Sequence, residues 1–180
     1  MGCPTSPKIK GDVGHPDISF MQNIFDGYFY NPTKGNLTLE QVIGELFSYM
    51  AEKPDMSYEI VVGCDSPSEE EPHFPVVLLV LRKGEGGRFF IKKVSYPLGE
   101  KKFYNWKQRI LEEVMLSCQF ALLLREKIGK EVRYIHADVG EHGQTRDMVK
   151  EVVGLIRGNG FEPKIKPESY AASVVADRYT

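Results

Sequence analysis

The 180-residue chain contains 42% hydrophobic residues and carries a formal net charge of −2 at pH 7. This hydrophobic fraction predicts a globular protein with a sizeable core and argues against wholesale disorder. The near-neutral charge excludes a general electrostatic attraction to polyanions, so any nucleic-acid contact must come from a local basic patch. No apolar run approaches the roughly 18 residues of a membrane-spanning helix, and no membrane partner is expected.

The N-terminal residues and the cysteines indicate the domain limits and the compartment. Residues 1–19 are rich in proline and glycine and predict a disordered tail, which leaves residues 20–180 as a single domain. Cys3, Cys64 and Cys118 are odd in number and widely spaced, a pattern that fits neither a disulfide framework nor a zinc site. A reduced, cytoplasmic protein is therefore predicted, and nothing in the sequence indicates an oligomer.

The first predicted elements are a helix and a meander of three strands. The stretch FMQNIFDGYFYNP supplies aromatic side chains that are expected to drape over the core. A capping-box pattern begins at Thr38, and apolar residues at helical spacing follow it up to Met50. Three strands are predicted next, with a hairpin turn at Gly84–Gly87 between the last two: YEIVVGCD, PVVLLVLRK and GRFFIKKVSYP.

Helices and strands alternate in the second half of the chain. A long helix is predicted from about Lys101 to Lys127, with Gly129 as its stop. The strand VRYIHAD, a helix over 145–157, the short strand FEPKIK and a last helix in PESYAASVVADRY follow. This order predicts an α/β fold, in which a three-strand antiparallel meander and a β-α-β arrangement form a five-stranded mixed sheet with helices on both faces.

Four acidic residues occupy positions where they would meet. Asp65 ends the first predicted strand and Asp138 ends the fourth, so parallel neighbouring strands would bring both to the same edge of the sheet. Glu113 lies on the inward stripe of the long helix, and Asp177 lies on one face of the last helix. Structural alternatives remain, because an Asp at a strand end commonly caps the next turn and Glu113 has Arg109 as an ion-pair partner one helical turn earlier.

A cluster of carboxylates indicates a cation. Converging carboxylates repel one another, so they raise their own pKa values or recruit a positive ion. Oxygen ligands without His or Cys favour Mg²⁺ or Mn²⁺. Two such ions, about 3.5–4 Å apart, activate a water molecule and stabilise the leaving oxygen of a phosphodiester. The four acids are therefore candidate catalytic residues and metal ligands of an enzyme acting on RNA, DNA or their hybrid.

Basic and hydroxyl side chains supply candidate substrate contacts. At the start of the long helix, Lys101, Lys102 and Lys107 alternate with aromatic residues, a composition that suits a nucleic-acid strand. The structural alternative is that the aromatic side chains only anchor the helix while the lysines stay in solvent. Lys166 adds positive charge before the last helix, and Ser66 follows the first strand as a turn cap or a substrate contact. The acidic stretch SEEEP, directly after the first strand, argues against phosphate binding there.

Four segments of the chain form a distinctive series: VGCDS, RILEEVMLS, IHADVG and KIKPESYAASVVADRYT. This series resembles the YkuK-like family of ribonuclease H-like proteins, over a stretch from about Asn31 to Thr180. The resemblance implies a ribonuclease H-like sheet, in which the first three strands are antiparallel and the fourth lies beside the first. It also implies that the acids of the ribonuclease H superfamily correspond here to Asp65, Glu113, Asp138 and Asp177.

Two functions follow from these expectations. The first is a Mg²⁺- or Mn²⁺-dependent nuclease, in which the four acids form a two-metal site. The alternative is a non-catalytic module that holds nucleic acid or a protein partner on the same fold. The acidic SEEEP stretch and the near-neutral net charge favour this alternative.

Overall fold

The computed structural model describes residues 24–67, 73–96, 105–129 and 132–169. Within these ranges the helices are α1 (Leu39–Ala51), α2 (Trp106–Ile128) and α3 (Val149–Gly158), the last preceded by a 3₁₀ turn at Arg146–Met148. The strands are β1 (Phe29–Asn31), β2 (Gly35–Leu37), β3 (Tyr58–Cys64), β4 (Phe74–Arg82), β5 (Gly86–Val94), β6 (Val132–His136) and β7 (Glu162–Lys164). No helix in this part of the chain is long and apolar enough to cross a membrane.

The described strands form one mixed sheet in the order β2-β1-β5-β4-β3-β6-β7. Strands β3, β4 and β5 form the predicted antiparallel meander, with Val62 opposite Leu78 and Leu78 opposite Phe90. Strand β6 lies parallel to β3, and β7 lies parallel to β6. The predicted meander and the predicted position of the fourth strand are confirmed, but the prediction of five strands is wrong, because the sheet has seven.

The two additional strands are a hairpin in a region predicted only to supply aromatic side chains. The Asn31 side chain closes its turn: Oδ1 accepts hydrogen bonds from the Thr33 and Lys34 amides, both at 2.9 Å. Gly35 follows with a φ of 75°, a conformation that side chains with a Cβ rarely adopt. Tyr30 then pairs with Ile91, which attaches the hairpin to the outer edge of β5.

Helix starts follow their capping residues. The capping box at α1 is present as predicted, with the Thr38 side chain accepting from the Gln41 amide. Helix α2 begins later than predicted, at Trp106, because the Asn105 side chain accepts from the Gln108 amide and so caps the first turn. The helix predicted over 145–157 is divided into the 3₁₀ turn and α3.

All three described helices pack on one face of the sheet. Their buried residues form a single core with alternate residues of the strands, including Val62, Leu78 and Phe90. The opposite face carries smaller apolar clusters, in which Val61 and Val77 are fully buried. Helices were predicted on both faces, and the last predicted helix lies, from residue 170 onward, outside the described residues.

Phe120 of α2 ties the added hairpin to this core. Its ring centroid lies 4.8 Å from that of Phe25 and 5.3 Å from that of Phe29, and all three side chains are buried. Tight contacts of this kind make truncation costly, because the cavity does not fully collapse.

We expect Phe120→Ala to lower the free energy of unfolding by about 3–5 kcal/mol, measured by urea denaturation. Phe47→Ala is the matched control, because Phe47 lies on α1 with 46% of its surface exposed, and it should change stability by less than about 0.5 kcal/mol. Equal losses in the two variants would contradict the assignment of Phe120 to the core.

Candidate functional site

The parallel pairing of β3 with β6 brings two of the predicted acids to one edge. Val62 lies opposite Ile135 and Gly63 lies opposite His136. Asp65 and Asp138 each lie two residues beyond this last pair, so both follow the carboxyl ends of neighbouring parallel strands. The carboxyl ends of neighbouring parallel strands form the edge at which open α/β sheets bind ligands.

Helix α2 brings Glu113 to the same edge. The side chain is buried, at 5% exposure, on the stripe that continues through the buried Ser117 and Ala121, as predicted. Glu113 Oε1 accepts hydrogen bonds from the amide of Ser66 at 3.0 Å and from its Oγ at 2.5 Å. Arg109 Nε lies 3.9 Å from the same oxygen, so the ion pair proposed as the structural alternative is also present.

Burial controls the charge of Glu113. Loss of solvent raises the pKa of this carboxyl to about 7, because the ionised form is poorly stabilised inside the core. The hydrogen bonds from Ser66 and the charge of Arg109 oppose that rise, whereas the charge of Asp65 adds to it. The Glu113 carboxyl therefore exchanges its proton near neutral pH, and it senses the charge of Asp65 beside it.

Asp138 has one carboxylate oxygen paired and one unsatisfied. Oδ2 lies 2.9 Å from Nζ of Lys166. Oδ1 is buried and has no hydrogen-bond partner among the described residues. A buried carboxylate oxygen without a partner is costly, so its presence here is compatible with a cation-binding role.

The donor chemistry of these acids fits a hard divalent cation, since carboxylate oxygens are the ligands that Mg²⁺ and Mn²⁺ prefer. In the described ranges, however, no group of three or more His, Cys, Asp or Glu side chains is arranged to hold a metal ion. Asp177, the fourth predicted ligand, lies outside those ranges. The two-metal site therefore stays a prediction.

The predicted substrate contacts have different positions. Ser66 is buried and its hydroxyl group is directed to Glu113, so in this state it holds α2 against the end of β3. Lys107 is exposed in the first turn of α2, with Nζ 5.6 Å from the ring centroid of Trp106. Lys101 and Lys102 lie outside the described residues.

Two neighbouring titratable groups are buried and uncharged near neutral pH. His136 is 1% exposed, and burial, with the nearby charge of Lys164, lowers its pKa to about 4, so the ring is neutral at physiological pH. Cys64 precedes Asp65 and is buried in the core, as predicted, where loss of solvent raises the pKa of its thiol. These residues have packing roles.

The pairing of Lys166 with Asp138 was not predicted as such. The sequence placed Lys166 near the last helix as a substrate contact, but β7 runs beside β6, and the pairing of backbones continues past both strands. Ala137 N donates to Lys164 O at 3.0 Å and Lys166 N donates to Val139 O at 2.8 Å. The sequence signal for such a pair is a basic residue that follows one predicted strand and an acidic residue that follows the neighbouring parallel strand.

Glu113→Gln tests the charge of the buried carboxyl. Folding raises the pKa of Glu113 from 4.5 to about 7. The contribution of Glu113 to the free energy of unfolding is therefore fully present below about pH 4.5, and it is lost as the pH rises through 7. In metal-free buffer the variant should therefore exceed the wild type in stability by up to about 3 kcal/mol at pH 8, and by much less at pH 5. Urea denaturation at the two pH values measures this difference.

The exposed Glu141→Gln serves as the control and should change stability by less than about 0.5 kcal/mol at either pH. A difference between Glu113→Gln and the wild type that is the same at pH 5 and pH 8 would refute the raised pKa.

Comparison with known proteins agrees with this architecture. The family described as Ribonuclease H-like matches residues 41–180. The chain is 27% identical over 168 residues to "Uncharacterized protein YkuK" of Bacillus subtilis (strain 168), a match that covers 84% of this chain and 96% of that protein. No solved structure matches the chain at a significant level. The resemblance noted in the sequence is thereby confirmed: the chain belongs to the ribonuclease H-like family.

Proposed function

We propose that this protein is a divalent-metal-dependent nuclease that hydrolyses phosphodiester bonds of RNA or DNA. The observation that carries the proposal is the buried Oδ1 of Asp138, which has no hydrogen-bond partner among the described residues and lies just past the end of β6, the parallel neighbour of β3. Membership of the ribonuclease H-like family supports a nuclease-like fold at this edge. Fold alone does not define an activity, so the proposal depends on the acids.

Each acid has a defined part in the proposal. Asp65 and Asp138 are the principal ligands of Mg²⁺ or Mn²⁺, and Glu113 and Asp177 complete the set. When bound, two such ions activate a water molecule and stabilise the leaving oxygen of a phosphodiester. The β3–β6 pairing, which brings the chain segments with Asp65 and Asp138 past the same edge, and the Ser66 hydrogen bonds to Glu113 support this assignment.

The substrate is recognised, in this proposal, through its phosphates. Lys166 is an exposed cation paired with Asp138, and Lys107 is exposed in the first turn of α2; in this proposal both contact phosphates, as do Lys101 and Lys102. Contacts of this kind position a backbone without selecting a sequence, so RNA, DNA and a hybrid are all candidate substrates. A cytoplasmic location accords with this proposal.

One observation favours a second function, a non-catalytic module that binds nucleic acid or protein. The Asp138 carboxylate is already neutralised by the Lys166 ammonium group at 2.9 Å. A carboxylate whose charge is balanced by a lysine needs no metal ion to offset that charge. Under this alternative the protein binds RNA or DNA in a salt-sensitive manner and leaves the strand intact.

We expect the purified protein to cleave labelled RNA or DNA in Mn²⁺ or Mg²⁺ but not in EDTA. Asp65→Asn and Asp138→Asn should each lower the rate by about 100-fold or more, since a lost metal ligand removes several kcal/mol of transition-state stabilisation. Gel electrophoresis of labelled single strands, duplexes and hybrids follows the cleavage.

Asp147→Asn is the matched control, because Asp147 is an exposed acid in the 3₁₀ turn after β6, and it should keep full activity. Cleavage that persists unchanged in Asp65→Asn would disprove the assignment of the site. Salt-sensitive binding without cleavage, unaffected by Asp138→Asn, would instead establish the binding module.

A further inference from the structure

Backbone pairing sets the position of Lys166 beside Asp138. Beyond the last pair of β6 and β7, His136 with Lys164, Ala137 N donates to Lys164 O and Lys166 N donates to Val139 O. These two bonds, at 3.0 and 2.8 Å, keep the segments that follow the two strands side by side. Lys166 is therefore aligned with Asp138 by main-chain contacts, whatever its own side chain does.

Gly140 makes room for the lysine stem. A Cβ built on Gly140 would lie 3.1 Å from Cβ of Lys166 and 3.7 Å from its Cδ, so the aliphatic part of Lys166 passes directly over this glycine. The ammonium end nevertheless remains accessible, with 54% of the Lys166 side chain exposed, whereas the Asp138 side chain is 24% exposed. The aliphatic part of the Lys166 side chain is thus held by its contact with Gly140, and its ammonium group can move into solvent.

The other lysine of this segment is engaged elsewhere. Lys164 forms an ion pair with Glu59, and its Nζ lies 4.2 Å from the ring centroid of Tyr134. The side chains of Lys164 and Glu59 are only 20% and 13% exposed, so this pair is a packed structural contact. Of the two lysines, Lys166 is the one whose charge faces a proposed metal ligand and remains exposed.

We propose that Lys166 is a displaceable internal cation: its ammonium group occupies Asp138 in the metal-free protein and leaves it when a divalent ion binds. The inference rests on the proposed function of the site. Lys166 is then a positioning residue that competes with the metal, and the released ammonium becomes available to a substrate phosphate at the same edge.

The physical basis is competition between two positive charges for one carboxylate. A partly exposed ion pair is weak, because solvent screens it, and so a divalent ion displaces it. The ammonium group near Asp138 also repels an arriving cation. Removal of the Lys166 charge should therefore strengthen metal binding, although Lys166 stabilises the ionised Asp138 carboxylate when no metal ion is bound.

The experiment measures Mn²⁺ affinity by isothermal titration calorimetry at low salt, without substrate. Compared with the wild type, Lys166→Met should bind Mn²⁺ about tenfold more tightly, and Lys166→Gln should behave in the same way. Lys150→Met is the matched control, since it removes an equal charge from an exposed residue in the first turn of α3 and should alter the affinity less than about threefold. The double variant Lys166→Met/Asp138→Asn should lose the binding.

The possible results are distinct. An unchanged or weaker Mn²⁺ affinity in both Lys166 variants, beside measurable binding by the wild type, overturns the displacement proposal and leaves the proposed function intact. Absence of binding in the wild type and in both Lys166 variants overturns the metal-dependent function itself. Binding that appears only when Lys166 is replaced supports displacement in its strongest form.

Discussion

The parallel pairing of β3 with β6 is the constraint on which the candidate site depends. It brings the segments that follow two central strands to one edge, and these segments carry Asp65 and Asp138. Helix α2 covers the same strands, and its inward stripe brings the buried Glu113 to the end of β3. Without this pairing Asp138 would lie apart from Asp65 and Glu113, which the packing of α2 on β3 already brings near each other.

Groups of the protein itself balance the charges of two acids at this edge. Glu113 shares its environment with Asp65, and burial favours its protonated form up to about pH 7. Asp138 is compensated by Lys166. One acid is thus neutralised by a proton and another is paired with a lysine, and the proposed displacement concerns the lysine. Such an arrangement is consistent with a site that exchanges its own positive charges for an external ion.

Much of this edge was predictable from local patterns, because strand ends and helical periodicity assign Asp65, Asp138 and Glu113 directly. The β1–β2 hairpin was not predicted, because each of its strands has three residues and so small a segment shows no recognisable hydrophobic alternation. Asn31 and Gly35 nevertheless carry the signal of its turn. The contacts of Ser66 with Glu113 and of Lys166 with Asp138 join residues distant in sequence. They depend on the packing of α2 and β7, which no local pattern specifies.

The most direct test of the account is anomalous diffraction from a crystal of the protein equilibrated with Mn²⁺. The account predicts an anomalous peak about 2 Å from Oδ1 of Asp138 and in contact with Asp65, with the Lys166 ammonium group moved away from the carboxylate. A map with no peak at this edge, and with the Lys166–Asp138 pair unchanged at saturating Mn²⁺, would contradict the central claim that these acids form a metal site.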